Sequence, residues 1–168
     1  WIGKHTNLIT RDYGSWIFLG ELLLDVKLEY DTPFEDDLCG TCTACLDACP
    51  TNAFPEPYVL DASKCISYLT IEHRGDLPTE LEDKLSGWIY GCDICQEVCP
   101  WNITFSHLSN ENSFQPRENL KERPIRQWED LTEEEYRRLF KKSTVKRTKY
   151  AGLKRNIVSA RKSLGESL

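Results

Sequence analysis

Eight cysteines stand between positions 39 and 99 of the chain, and their spacing is not random. The first run is Cys39-x2-Cys42-x2-Cys45-x3-Cys49-Pro50, the spacing that bacterial ferredoxins use for a [4Fe–4S] cluster. Three thiolates on one tight loop cover three corners of the cubane. The fourth, leaving through proline, faces the other cluster of a pair. A second run, Cys92-x2-Cys95-x3-Cys99-Pro100, repeats the end of the first. Aligning the two puts Ile89 where the leading cysteine of the second run would stand, and leaves Cys65 over. The count closes if one cluster takes Cys39, Cys42, Cys45 and Cys99, and the other takes Cys49, Cys65, Cys92 and Cys95. Cys65 alone has a plainer alternative as a small buried apolar residue. A disulfide framework suits an even cysteine count, but such close pairs would close very small, strained loops. Zinc sites rarely use this triple spacing with Cys-Pro.

Two adjacent [4Fe–4S] clusters move single electrons and seldom carry out bond chemistry themselves. The segment therefore reads as an electron relay feeding a reaction elsewhere. Around it, the apolar side chains at even positions of Leu22–Tyr30 give the period-2 pattern of a strand, and residues 15–19 a second one, with Gly20 as a bend. Residues 1–30 thus read as the end of an α/β unit. Leu77-Pro78-Thr79-Glu80-Leu81-Glu82 carries a capping box for a short helix ending at Gly87, and Thr132-x-x-Glu135 a second box stapled by Leu131 and Tyr136. Leu153, Ile157, Ala160 and Leu164 form the stripe of a last helix stopped by Gly165. Residues 101–130, polar and interrupted by Asn, Ser and Pro, read as a connector.

The 168 residues are 40% hydrophobic and 29% charged, a globular composition rather than a disordered one. The longest apolar stretch, Trp16–Leu24, is broken by Gly20 and Glu21 and falls far short of the ~20 residues of a membrane span. No secretory signal opens the chain. Methionine is absent even from position 1, so the sequence is expected to be part of a longer protein. The net charge of −6 hides an asymmetry: residues 137–168 carry 11 Lys and Arg against Glu166 alone. Lys146, Arg147, Lys149, Lys154 and Arg155 are spaced to meet successive phosphates, so this tail is expected to bind RNA through its backbone. A solvated helix face is the alternative.

The chain also resembles a known family, the epoxyqueuosine reductases, over nearly its whole length. The likeness is carried by Trp1-Ile2-Gly3-Lys4-His5-Thr6, by Phe18-Leu19-Gly20-Glu21, by Cys65 within a segment ending at Glu72, by residues Gly91 to Asn102 including Cys99-Pro100-Trp101-Asn102, and by Val145 to Asn156. The resemblance implies a cytoplasmic, cobalamin-dependent oxidoreductase that reduces epoxyqueuosine to queuosine in a tRNA anticodon loop. It implies cobalamin contacts at Lys4, His5 and Thr6, and at Thr70 and Glu72, and a low-potential donor such as a flavodoxin or ferredoxin. The proton-donating Asp of the family lies outside this sequence, so no catalytic residue is assigned. Trp101 is expected to shield a cluster or to pack in the core.

The expected fold is α+β. Residues 1–37 would end the cobalamin-binding α/β domain, 38–105 form a ferredoxin-like dicluster domain, 106–130 a connector, and 131–168 a basic, HEAT-like helical segment for tRNA. A ferredoxin-type electron carrier, the iron–sulfur part of a corrinoid reductive dehalogenase, and a zinc-bound RNA-binding module are the competing readings.

Overall fold

A computed structural model describes residues 1–117, 120 and 123–165. Four positions of the expected connector (Glu118, Asn119, Lys121 and Glu122) and the last three of the expected tail, Glu166 among them, lie outside these. The described helices are α1 (Ala44–Asp47), α2 (Ile66–Ile71), α3 (Ile94–Glu97), α4 (Pro100–Phe105), α5 (Ile125–Glu129), α6 (Glu133–Leu139) and α7 (Lys149–Ser163), with 3-10 turns at Ala62–Lys64, Asn112–Phe114 and Thr144–Thr148. None is long and apolar enough to cross a membrane. The chain forms two compact units: Trp1–Ala48 with Phe54–Leu60 and Ile94–Leu108, and Cys49–Ala53 with Asp61–Asp93 and Ser109–Leu168. Boundaries at 37, 105 and 130 do not coincide with this division.

In the first unit, helices are short because cysteines at every third or fourth position demand turns. The Cys42 amide bonds the Cys39 carbonyl at 3.0 Å, and α1 begins immediately after. Pro100 opens α4 at its first turn, where the missing N–H costs nothing and the fixed φ suits a helix. One turn on, Asn102 is buried, its Oδ1 accepting the Ser15 amide at 2.6 Å and its Nδ2 donating to Ser15 Oγ and the Gln96 carbonyl, each at 2.8 Å. This clasp ties α4 to the N-terminal segment, and Gly14 makes it possible. Its φ is +63°, and a Cβ there would overlap the Asn102 carboxamide.

The strands expected in residues 15–30 do not form. The described β structure is confined to the isolated bridges Ile2–Leu8, Thr10–Gly14 and Glu56–Val59, so the regular elements among the described residues are short helices and 3-10 turns, with α7 the longest. Leu22 and Tyr30 are 87% and 96% exposed. Alternation supplies an apolar face, but a strand exists only within a ladder and under a covering layer. No such ladder forms among the described residues.

The second unit holds two apolar clusters. Ile66, Leu69, Leu77, Leu81, Leu85 and Ala160 form one, and Trp128, Leu131, Tyr136, Phe140, Leu153 and Ile157 the other. Helix α7 enters both through its expected stripe, while Leu164 is half exposed at its end. The Thr132 hydroxyl caps α6 by accepting the Glu135 amide at 3.2 Å, and Leu131 and Tyr136 are both buried, as a staple requires. Helix α5 arises inside the expected connector because Trp128 is buried against Phe140, with Arg123 over its ring. The helix expected from Thr79 is instead a series of tight turns: Leu81, Lys84 and Trp88 each bond the carbonyl three residues back, at 2.9–3.1 Å. Leu77, Leu81 and Leu85 are still buried. The capping box fails because Glu82 is engaged elsewhere: its carbonyl accepts the Ser159 hydroxyl and its carboxylate pairs with Lys162 at 3.1 Å.

Gly14→Ala is expected to destabilise the cluster-loaded protein by about 2–5 kcal/mol, from left-handed strain plus overpacking. Gly75→Ala, at φ +81° with open space around it, should cost about 1–2 kcal/mol. Urea unfolding of both variants checks the difference, and equal losses would remove the Asn102 clasp from the account.

Candidate metal centre

Cys39, Cys42, Cys45 and Cys99 line one cavity of about 130 Å³ in the first unit, closed by Lys4, His5, Leu38, Pro100 and Trp101. The run from Cys39 to α1 delivers three thiols, and α4's leading Cys-Pro step delivers the fourth. Cys45 and Cys99 are buried. Burial pushes the Cys45 thiol up to about 11, and the thiolates of Cys39, Cys99 and Cys42 add to the rise. Ionised together, these sulfurs would repel, so a cationic centre is what would let all four act as thiolates. The void bears on which centre. Four thiolates ~2.3 Å from a zinc ion enclose no free space, whereas a cubane needs room inside the ring of sulfurs. No group of three His, Cys, Asp or Glu suited to a single ion is found among the described residues. Trp101 lines the cavity, donates to the Leu38 carbonyl at 3.3 Å, and packs on Trp1 and Phe105.

Of the other four cysteines, Cys49, Cys65 and Cys92 belong to the second unit and Cys95 lies in α3 of the first. All four are partly buried. Cys49 Sγ accepts the Ala53 amide at 3.3 Å and lies 3.5 Å from the Thr51 hydroxyl. Cys65 caps the start of α2.

The structure redirects most of the remaining expected contacts. Lys4 is buried, and its ammonium donates to the carbonyls of Gly40 at 2.5 Å and Cys42 at 2.9 Å. His5 is buried too, and burial lowers its pKa, favouring the neutral ring. Thr6, at φ +66°, closes a turn onto Gly3. Thr70 is fully buried, its hydroxyl donating to the Ile66 carbonyl and accepting the Gly91 amide. Glu72 is paired with Arg147 at 2.5 Å. In the tail, Lys146, Arg147 and Lys149 are exposed, whereas Lys154 and Arg155 bond internal carbonyls. Lys154 donates to the Glu129 carbonyl, and Arg155 to the carbonyls of Leu69, His73 and Gly75. Mid-helix cations facing neighbouring segments satisfy those segments' free carbonyls, a role that charge counting does not reveal. Asn102 and Asn156 were also unassigned from the sequence. The family-like run ending at Asn156 was the available signal.

Residues 38–102 match the family model of the 4Fe-4S double cluster binding domain. With the four-thiol cavity, this marks residues 38–102 as similar to the double-cluster iron–sulfur domains. The chain as a whole is similar to epoxyqueuosine reductases. It is 54% identical to that of Cellulophaga algicola over 157 residues, covering 94% of this chain and 51% of the relative. It is 48% identical to that of Synechocystis sp., covering 93% and 54%. A solved selenomethionine-labelled epoxyqueuosine reductase superimposes with a TM-score of 0.88 at 32% identity, over 99% of this chain and 44% of that one. Another, solved with an epoxyqueuosine-modified tRNA-Tyr stem loop, gives 0.82 at 30%, with the same coverage. The chain thus spans about half the length of the curated relatives it matches.

Asn156 is wholly buried, donating to the carbonyls of Thr70 at 2.7 Å and Ile89 at 3.0 Å. These residues lie just after Cys65 and just before Cys92 in the chain. Asn156→Leu should therefore cost about 2–5 kcal/mol by stranding two buried acceptors, measured by urea unfolding. Retained stability would show that water takes over both carbonyls.

Proposed function

We propose that this chain is the iron–sulfur and RNA-facing part of an epoxyqueuosine reductase, a cytoplasmic oxidoreductase that converts epoxyqueuosine to queuosine in a tRNA anticodon loop. The observation that carries the reading is the cavity shared by Cys39, Cys42, Cys45 and Cys99. The first cluster would sit there, and the second on Cys49, Cys65, Cys92 and Cys95. Removing an epoxide oxygen as water takes two electrons and two protons. One-electron carriers in series suit such a demand, with a flavodoxin or ferredoxin as donor. Cobalamin, the proposed acceptor of these electrons, finds little in this chain. Lys4 is engaged by the cysteine loop, His5 lines the thiol cavity, and Thr70 and Glu72 are engaged within their own unit. We assign its binding, and the proton donor, to the other half of the enzyme.

RNA contact is assigned to the exposed cations Lys146, Arg147 and Lys149, aided by Lys141 and Lys142. They precede or open α7, and Arg147 also pairs with Glu72, whereas Lys154 and Arg155 are held by carbonyls. Residues 1–37 are assigned to the edge of the cobalamin domain, whose sheet would cover the exposed side chains of Leu22–Tyr30.

The test is iron content. Anaerobically prepared protein should carry about eight iron atoms per chain and absorb near 400 nm. Cys65→Ala should lose about four of them, or show a three-iron signal by electron paramagnetic resonance, with the visible band roughly halved. Full iron in Cys65→Ala would overturn its assignment, and zinc in place of iron would overturn the reading as a whole.

The tRNA assignment has its own check. Lys146→Glu with Lys149→Glu should weaken binding of a tRNA stem loop and lower the salt slope by about two units, leaving iron unchanged. An unaltered slope would return these lysines to a solvated surface.

A further inference from the structure

The thiol cavity contains two buried polar side chains that ligand counting leaves without a purpose. Lys4 is 8% exposed, and its ammonium is fixed against the cysteine loop by the Gly40 and Cys42 carbonyls. Burying a charged amine is expensive unless it meets a counter-charge. The two carbonyls take two of its three donors and carry no net charge, and Asp37, the carboxylate that feels its charge, is exposed and bonded to Tyr58 and the Cys39 amide. His5, at 3% exposed, presents a second anomaly. Its Nδ1 accepts the Asn7 amide at 3.2 Å, which puts the proton of the neutral ring on Nε2. That Nε2–H is buried with no hydrogen-bond partner, a costly deficit if left unmet. Both side chains line the cavity that Cys39, Cys42, Cys45 and Cys99 surround.

We infer that Lys4 and His5 tune the reduction potential of the first cluster, the ammonium by its charge and the imidazole by an Nε2–H bond to cluster or cysteine sulfur. The inference rests on the cavity holding that cluster. A [4Fe–4S]²⁺ core with four thiolates carries a net charge of 2−, and one-electron reduction makes it 3−. A fixed cation and an N–H donor at the sulfurs each stabilise the more negative state, so both raise the potential. The buried ammonium's remaining donor and the unmet N–H then have the same explanation: their partner is the anionic cluster. A purely structural Lys4 would hold the Gly40–Cys42 turn and leave the potential alone.

The experiment is a redox titration of the cluster-loaded protein followed by electron paramagnetic resonance, with iron measured on every sample. In Lys4→Met and in His5→Phe, one of the two reduction waves should move to lower potential. The expected size is at least a tenfold fall in the reduced-to-oxidised ratio at a fixed potential, about 59 mV for one electron. The other wave should move less. His5→Gln, which keeps an N–H donor, should recover part of the shift. If Lys4→Met loses about four irons, His5→Phe decides alone. Full iron with both waves unmoved in His5→Phe and Lys4→Met overturns the inference while leaving the cluster assignment standing. Unaltered protein that binds no iron overturns both.

Discussion

Four thiols drawn to one small cavity can all ionise only with a cation among them. That constraint bears on the whole first unit. Burial and the neighbouring sulfurs push Cys45 up to about 11, a direction that a bound iron centre would reverse. The surrounding apolar core is slight: Ile9, Cys45 and Cys99 are its buried apolar side chains among the described residues, flanked by partly covered aromatics. A unit with so little apolar burial would gain stability from the proposed cluster on four of its residues.

The second unit solves its problem differently. Two apolar clusters give it an ordinary core, and buried polar side chains set the register between α7 and the segments that carry Cys65 and Cys92. Asn156, Arg155 and Ser159 project from one helix into carbonyls between residues 69 and 89. Unpaired carbonyls would each be costly in the interior, so these side chains are demanded by the irregular backbone around the cysteines. The helix that reads as an RNA-binding element is thereby also the brace of the cysteine-bearing segments. Its cations divide by position. Those before the helix and at its first residue point to solvent, and those in its middle are drawn inward.

Such a division explains why charge arithmetic misplaces function. A net count over residues 137–168 treats eleven cations alike. Arg161 is paired with Glu129, Lys162 with Glu82 and Arg137 with Glu133, all partners supplied by the acidic remainder of the chain. Much of the apparent excess is therefore internal to the unit. The exposed remainder around Lys146 and Lys149 is smaller and more local than the composition implies.

By itself the sequence determined the chemistry of the cysteines, because ligand spacing in a cubane loop is a local property of a few backbone turns. It also determined α6 and α7, whose cap, staple and stripe are all encoded within one or two helical turns. Other features required the tertiary structure. The strand pattern of Leu22–Tyr30 is genuine, but a ladder needs a neighbour that alternation alone cannot provide. The Thr79 capping box is intact as a motif, yet Ser159 and Lys162, nearly eighty residues away, engage Glu82 first. Lys4, His5, Asn102, Lys154 and Arg155 carry ordinary side chains whose roles depend on which distant carbonyls, amides or sulfurs the fold brings to them. Short-range hydrogen-bond and ligand geometry is written in spacing; the fate of a long polar side chain depends on what is buried beside it.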